Sequence, residues 1–294
     1  LRYEMAVELA ESMREANGTA VQLRARLCEL PSVTDVGMNV LAPVNEGGRL
    51  RADIKGKSIK GFHTGVFRVS TIETRGRAMQ ERVGGAACPW WQVEEVLARD
   101  VTSLKRGIAQ ASLVVVHSQG IDKSGESRFG LSAFADELRK LRSAWERLRD
   151  AGVKRFVITA DHGFLLLDPS APKQSHGRKV DPQRRHIFRP DGADRTGEVR
   201  VALSDLGYDG AEGHVVFPDS TAVFDRGNKK ATFVHGGNSL QERVIPVLTV
   251  VNRGSSGSDL LSYAVSVRVA DPVAGMHRLI GKVVTVSQQG LGFG

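Results

Sequence analysis

Two β-branched runs, "ASLVVVHSQGID" at 111–122 and "VKRFVITADHG" at 153–163, constrain this chain more than any other feature. Each ends in a polar turn, as buried parallel strands do. Between them Phe134, Leu138, Leu141, Trp145 and Leu148 recur by four and three, which predicts a helix with one apolar face. Its opposite face carries Arg139, Lys140, Arg142, Arg147 and Arg149 and reads as solvated, and Gly152 stops it. Residues 112–160 therefore read as a β-α-β unit with a right-handed crossover. Ligands in such sheets gather beyond the carboxyl ends of the strands. The chain places Asp122 with Glu126, and Asp161 with His162, at those ends.

The flanking segments follow the same logic. Leu1, Met5, Leu9 and Met13 repeat every fourth residue and predict a helix over 1–17 that stops at Gly18. Val21 to Leu27 alternates apolar with polar, as a half-exposed strand near a sheet edge does. "LPSVTDVGMNVLAP" breaks at Pro31 and restarts as a short helix capped around Ser32 or Thr34. Residues 44–92 are rich in Gly, Lys and Arg and poor in apolar periods, so they read as an insertion or cap. Trp90 and Trp91, placed on a helix, would point about 100° apart and anchor it. Residues 170–195 read as a basic surface loop, with His176 and His214 on the surface. Strands resume at "GEVRVALS", "HVVFPDS" and "ATFVHGG", and "SLQERVIPVLTV" reads as a short helix feeding a last core strand. Residues 252–260 have linker composition, and 261–294 alternate as the start of a small β module.

Composition narrows the setting. Lys plus Arg total 41 against 33 Asp plus Glu, a formal charge of +8. Such a surface attracts phosphate-bearing partners, nucleic acid among them, or serves solubility alone. Cys28 and Cys88 lack CxxC spacing, so neither a disulfide framework nor a thiolate metal site is expected, and a reducing cytoplasm fits. No apolar run approaches the roughly 20 residues of a membrane helix.

Three strand-end groups carry the candidate chemistry: Asp122 with Glu126, Asp161 with His162, and His235 in "FVHGG". Carboxylates and imidazoles leaving buried strands are costly unless compensated, and a hard or borderline divalent cation suits mixed Asp, Glu and His ligands. Taken singly, each group also reads as a hydrogen-bonded turn. His117 reads as a structural histidine or a support for Asp122. Arg184, Arg185, His186 and Arg189 would clamp a phosphate or line a solvated loop.

"LRYEMAVELA", "LPSVTDVGMNVLAP", "IDKSGE", "TADHGFLLLD" and "FVHGGNSLQERVIPVL" together resemble the PglZ domain, a branch of the alkaline phosphatase superfamily found in bacterial phage-defence systems of the BREX type. The resemblance spans residues 1–251 and implies an α/β fold. Its core would be a central, mostly parallel sheet with helices on both faces, an inserted cap and a truncated C-terminal β segment.

The resemblance further implies a phosphoesterase with two divalent metals, zinc or manganese first and magnesium after them. Thr34 would be the nucleophile, with Ser32 as fallback. A hydroxyl at a helix start meets free N–H groups, and a cation lowers its pKa; the bland alternative is that Thr34 is an N-cap. One metal would take Asp122, Glu126 and His235, the other Asp161, His162 and Thr34. Many superfamily members have His where Glu126 stands, and the carboxylate tilts the site toward manganese or magnesium.

A further ligand Asp is expected two positions before Leu1 in a longer parent. Phosphate esters and other defence-system proteins are the implied partners. The alternatives are an interaction scaffold within a defence complex, and a nucleic-acid binder without catalysis.

Overall fold

The computed structural model describes residues 1–16, 18–55, 58–126, 131–168, 170–176, 184–190, 194–209, 212–225, 232–252, 262–273 and 276–287. They fall into two units, Leu1–Asn252 and Arg253–Gly294.

The chain opens with α1 (Tyr3–Arg14), β1 (Thr19–Leu27) and α2 (Thr34–Val40). A small sheet follows, built from β2 (Asn45–Glu46), β3 (Arg49–Lys55), β4 (Ser58–His63) and β5 (Arg68–Val69). Then come α3 (Ile72–Arg82), β6 (Trp90–Gln92), α4 (Val93–Ala98), α5 (Val101–Ile108), β7 (Val115–His117), α6 (Gly120–Glu126), α7 (Leu131–Asp150) and β8 (Arg155–Thr159). Short strands β9 (Leu165–Leu166), β10 (Lys173–Gln174), β11 (Ile187–Arg189), β12 (Glu198–Ala202), β13 (Tyr208–Asp209), β14 (His214–Pro218), β15 (Val223–Phe224) and β16 (Phe233–Val234) lead to α8 (Leu240–Arg243) and β17 (Val244–Asn252). In the second unit β18 (Ser262–Val273) pairs antiparallel with β19 (Met276–Ser287). Residues 253–261 of the expected linker lie outside the described residues.

The apolar spacing read from the sequence becomes packing here. Leu9, Ala10 and Met13 of α1 meet Trp145 of α7 and Leu248 and Val250 of β17 in one buried cluster. Trp91, Val93, Val96 and Leu104 meet Ala144 and Leu148 on another side of α7. Fully burying side chains of this size contributes roughly 1.5–3 kcal/mol each.

The expected mostly parallel central sheet is not what the described strands form. β17 lies between β1 and β8 and runs antiparallel to both, with Leu23 opposite Leu248 and Ile158 opposite the same residue. β6 and β7 pair in parallel, Trp91 with Val116, in a separate ribbon. Apolar patterning reports burial, not the direction of the neighbouring strand, so it cannot separate these cases. β8 is also less buried than its sequence suggests, with Val157 59% exposed, because Val157 lies on the face opposite Phe156 and Ile158, which pack against the α1 and α7 cluster.

Three other expectations change. Residues 44–92 hold real core: Leu50, Ile59, Phe62 and Val69 pack with Val36 of α2 and with Phe188, Tyr208 and Phe217. Their Gly, Lys and Arg residues fall between inward positions of short strands, which hides the pattern. Trp90 and Trp91 lie on β6, not a helix, so they face opposite ways. Within the stretch expected to be a surface loop, His176, Arg185, His186, Ile187 and Phe188 are buried, because β11 pairs with β14 and β10 with β15.

Candidate active site

Two short pairings bring distant segments together. β9 runs antiparallel to β16 with Leu165 opposite Val234, so His235 arrives beside the "DHG" turn. The Gly163 N–H donates to the Glu242 carbonyl at 2.8 Å, and Phe164 N–H to that of Gln241 at 3.1 Å. A Cβ on Gly163 would strike the Gln241 carbonyl, which is why only glycine fits this turn. A Cβ on Gly37 of α2 would likewise strike the backbone of Asp161. The helix carrying Thr34 thus sits directly against the end of β8.

Thr34 is the first helical residue of α2, and the capping position falls to Val33, whose side chain caps nothing. Neither Thr34 nor Ser32 is a side-chain cap, a departure from the sequence reading. Instead Thr34 Oγ1 lies 3.1 Å from His162 Nε2. Ser32 accepts from Gly236 N–H at 3.1 Å and donates to the Gly237 carbonyl at 2.7 Å, which fastens the "HGG" turn to the residues before Thr34.

The tautomers of both histidines follow from their partners. His162 Nδ1 lies 2.8 Å from the Gly163 carbonyl and His235 Nδ1 lies 3.3 Å from the Ser32 carbonyl. Each Nδ1 therefore donates to a carbonyl, which leaves Nε2 as the ring nitrogen available to a ligand, the usual arrangement of a ligand histidine. The rings stack 4.2 Å apart at 13°. Burial pushes the His235 pKa down. His162 Nε2 lies 3.4 Å from Asp161 Oδ2. Two lone-pair atoms facing each other at that distance call for a positive charge between them, a proton or a cation.

Asp161, His162 and His235 thus converge on Thr34. The Asp122 charge reaches this centre, since it acts on His235. The Leu1 nitrogen donates to the His162 carbonyl at 3.3 Å. The side chain of Glu126, at the end of α6, lies outside the described residues. Among the described residues no three of His, Cys, Asp and Glu form a ready cation cage. The donor types and ring orientations of the described residues fit a metal.

The remaining expectations divide. Arg185 is 1% exposed and grips Glu242, itself 0% exposed, through Nε at 3.1 Å and Nη2 at 2.9 Å. Its Nη1 donates to the carbonyls of Ser220 and Ala222. A phosphate clamp at Arg185 is therefore excluded by the guanidinium's own partners. Arg184, Lys60, His186, Phe188 and Phe233 line a cleft of about 390 Å³ that flanks Thr34 through Val33 and Asp35. Burial pushes the His186 pKa down to about 4. His117 is buried against Gln92 Nε2 at 3.3 Å, a structural position. His176 is buried against Glu198, not on the surface.

A family model described as the BREX system PglZ alkaline phosphatase-like domain matches residues 1–250. The chain belongs to this family. It is 26% identical to the alkaline phosphatase-like protein PglZ of Bacillus cereus, over 88% of this chain and 30% of that protein. It is 25% identical to the alkaline phosphatase-like protein BrxZ of Escherichia coli, over 85% of this chain and 29% of that protein. The chain thus spans under a third of the length of the curated relatives it matches.

Among solved structures, phosphonoacetate hydrolase of Sinorhizobium meliloti, in complex with phosphonoformate, superposes at TM-score 0.53 with 12% identity, covering 83% of this chain and 85% of that one. Murine ectonucleotide pyrophosphatase/phosphodiesterase 5 superposes at 0.54 with 10% identity, covering 85% of each. At these identities the likeness shows the alkaline phosphatase-like fold. No helix among the described residues is long and apolar enough to cross a membrane.

Two elements of this PglZ-family site escape sequence reading. The Arg185–Glu242 pair lies 57 positions apart in sequence and has no local signature. Arg75 of α3 is buried and sits in a stretch so basic that no single arginine stands out.

Proposed function

We propose that this chain is the core of a metal-dependent phosphoesterase in which Thr34 is the nucleophile. The reading is carried by one observation: the Thr34 hydroxyl lies 3.1 Å from a histidine nitrogen whose lone pair is fixed by the Gly163 carbonyl, beside Asp161. A hydroxyl so placed sits among His162 Nε2 and Asp161, the groups that would hold a cation, and would attack phosphorus with its pKa lowered there and its proton passing to solvent. His235 stacks on His162 and holds its ring plane, and Ser32 ties both to the start of α2.

Two divalent ions, zinc or manganese with magnesium as the third choice, would be held by Asp161, His162 and Thr34 and by Asp122, Glu126 and His235. Bound there, they would supply charge neutralisation and a lower hydroxyl pKa. In a longer parent, a segment preceding Leu1 would enter beside Asp161 and Asp122, where the expected additional aspartate would complete the ligand set. Residues 1–251 form the catalytic unit of this proposal, with 44–92 as its cap and 261–294 as the start of a separate β module. A cytoplasmic setting, phosphate-ester substrates and partnership with other defence-system proteins belong to the same proposal. Nucleic acid is supported by the formal charge of +8.

A second reading is an interaction scaffold in a defence complex. Elemental analysis of the purified protein, with hydrolysis of a generic aryl phosphate ester before and after chelation, separates the two. The enzyme reading expects bound divalent metal and chelator-sensitive turnover lost in Asp161→Ala. Metal-free protein without turnover, in the full-length parent, would support the scaffold instead.

A further inference from the structure

The most unusual charge in the molecule is Arg75. Its side chain leaves α3, a helix fixed at its start by the reciprocal Thr71 and Thr74 bonds, and is 9% exposed. Nη1 donates to Asn39 Oδ1 at 3.3 Å. Nε is buried and has no partner. Among the described residues no carboxylate lies within ion-pair distance of it. A guanidinium has five N–H donors, and a buried cation without an adjacent counter-ion is costly to hold.

Its position says what would compensate it. Asn39 is 1% exposed and donates from Nδ2 to the Asp35 carbonyl at 2.7 Å, so the Arg75 contact continues into the residue that follows Thr34. The charges that act on Arg75 are Asp161 first, then Asp35 and Glu73. Arg75 in turn acts on His117. The guanidinium therefore stands near the Thr34–His162–Asp161 centre, with its buried Nε unpartnered among the described residues. Two other cations near this centre differ. Arg185 is consumed by Glu242, and Lys60 is largely exposed and 3.6 Å from Asp35.

The geometry points to Arg75 as an anion seat that holds non-transferred phosphoryl oxygens of an ester bound at Thr34. This rests on the phosphoesterase reading for its location beside a nucleophile, while the seat itself rests on the buried guanidinium and its orphaned Nε. The planar fork of arginine matches two oxygens of a tetrahedral phosphate at once, where lysine offers a point charge.

The test uses inorganic phosphate as probe, titrated calorimetrically into the whole chain at fixed ionic strength. Wild-type and Arg75→Met proteins are compared, each checked for a native melting transition and equal metal content. Charge-assisted bonds of this kind predict phosphate binding weakened by about tenfold or more in Arg75→Met, with partial recovery in Arg75→Lys. Arg139→Met, a change on the exposed face of α7, should leave it unchanged. Should Arg75→Met fail to fold, Arg75→Gln keeps an amide donor without charge and replaces it.

A folded variant binding phosphate as tightly as wild type would overturn the inference, as would a wild-type protein that binds none. The two proposals separate cleanly. Thr34-dependent hydrolysis unaffected by Arg75→Met rejects the seat and leaves the phosphoesterase reading standing. Arg75-dependent phosphate binding without any ester hydrolysis rejects the phosphoesterase reading and keeps the seat.

Discussion

Replacing Glu242 by alanine should be among the most damaging single changes in the chain. Its carboxylate accepts from Arg185 Nε and Nη2, from the Gly237 N–H at 2.8 Å and from the Ser239 hydroxyl at 2.7 Å. Both charged partners are essentially inaccessible to water. Removing one member leaves a buried guanidinium without a counter-ion, a loss of roughly 3–5 kcal/mol. For a unit of about this size that corresponds to a melting temperature lower by roughly 6–20 °C. The double change Arg185→Met with Glu242→Leu removes both charges at similar volume and should recover most of the loss.

Thermal melting of wild type, Arg185→Met, Glu242→Leu and the double variant, read as a double-mutant cycle, gives the coupling directly. A Glu242→Ala protein within about 1 kcal/mol of wild type, or a double variant no better than the single, would refute the reasoning. The effect also reaches the site. Gly237 has no room for a Cβ because Glu242 and Arg185 fill that space, and this turn carries His235.

Two more predictions follow from the packing and the buried imidazole. Gly37→Ala gains helix propensity of about 1 kcal/mol, but its Cβ meets Asp161 backbone atoms that cannot swing aside, so overpacking of roughly 1–3 kcal/mol prevails; denaturant titration should show a net loss of stability. His186 has a folded pKa lowered to about 4 from 6.5. The unfolded chain therefore binds this proton more readily, and stability should fall as pH drops from about 6.5 to about 4, by up to about 3 kcal/mol. His186→Gln should flatten that window in pH-dependent melting.

The long periodic elements were legible in the sequence: α1, α7, β1 and the helix-to-strand passage through Leu240 into β17 all lie where their spacing puts them. The convergence of "DHG" with "VHGG" was legible only from their joint appearance and the family resemblance, since each alone also reads as a hydrogen-bonded turn. Sheet direction was not legible, because Val157 and Leu248 read alike beside a parallel or an antiparallel neighbour. The cap core was hidden because Leu50, Ile59 and Phe62 are spread over short strands among lysines and glycines. Arg185 and Arg75 look like any other basic residue until burial distinguishes them. Their roles depend on Glu242 and Asn39, partners that no local window contains.

The account turns on Thr34 as the group that attacks phosphorus. The direct measurement is peptide mass spectrometry of protein acid-quenched during turnover of an aryl phosphate ester with divalent metal present. The account predicts a phosphoryl group on Thr34 in the wild-type protein, absent along with turnover in Thr34→Ala. Sustained hydrolysis by Thr34→Ala, or a phosphoryl group found on another residue, would contradict it.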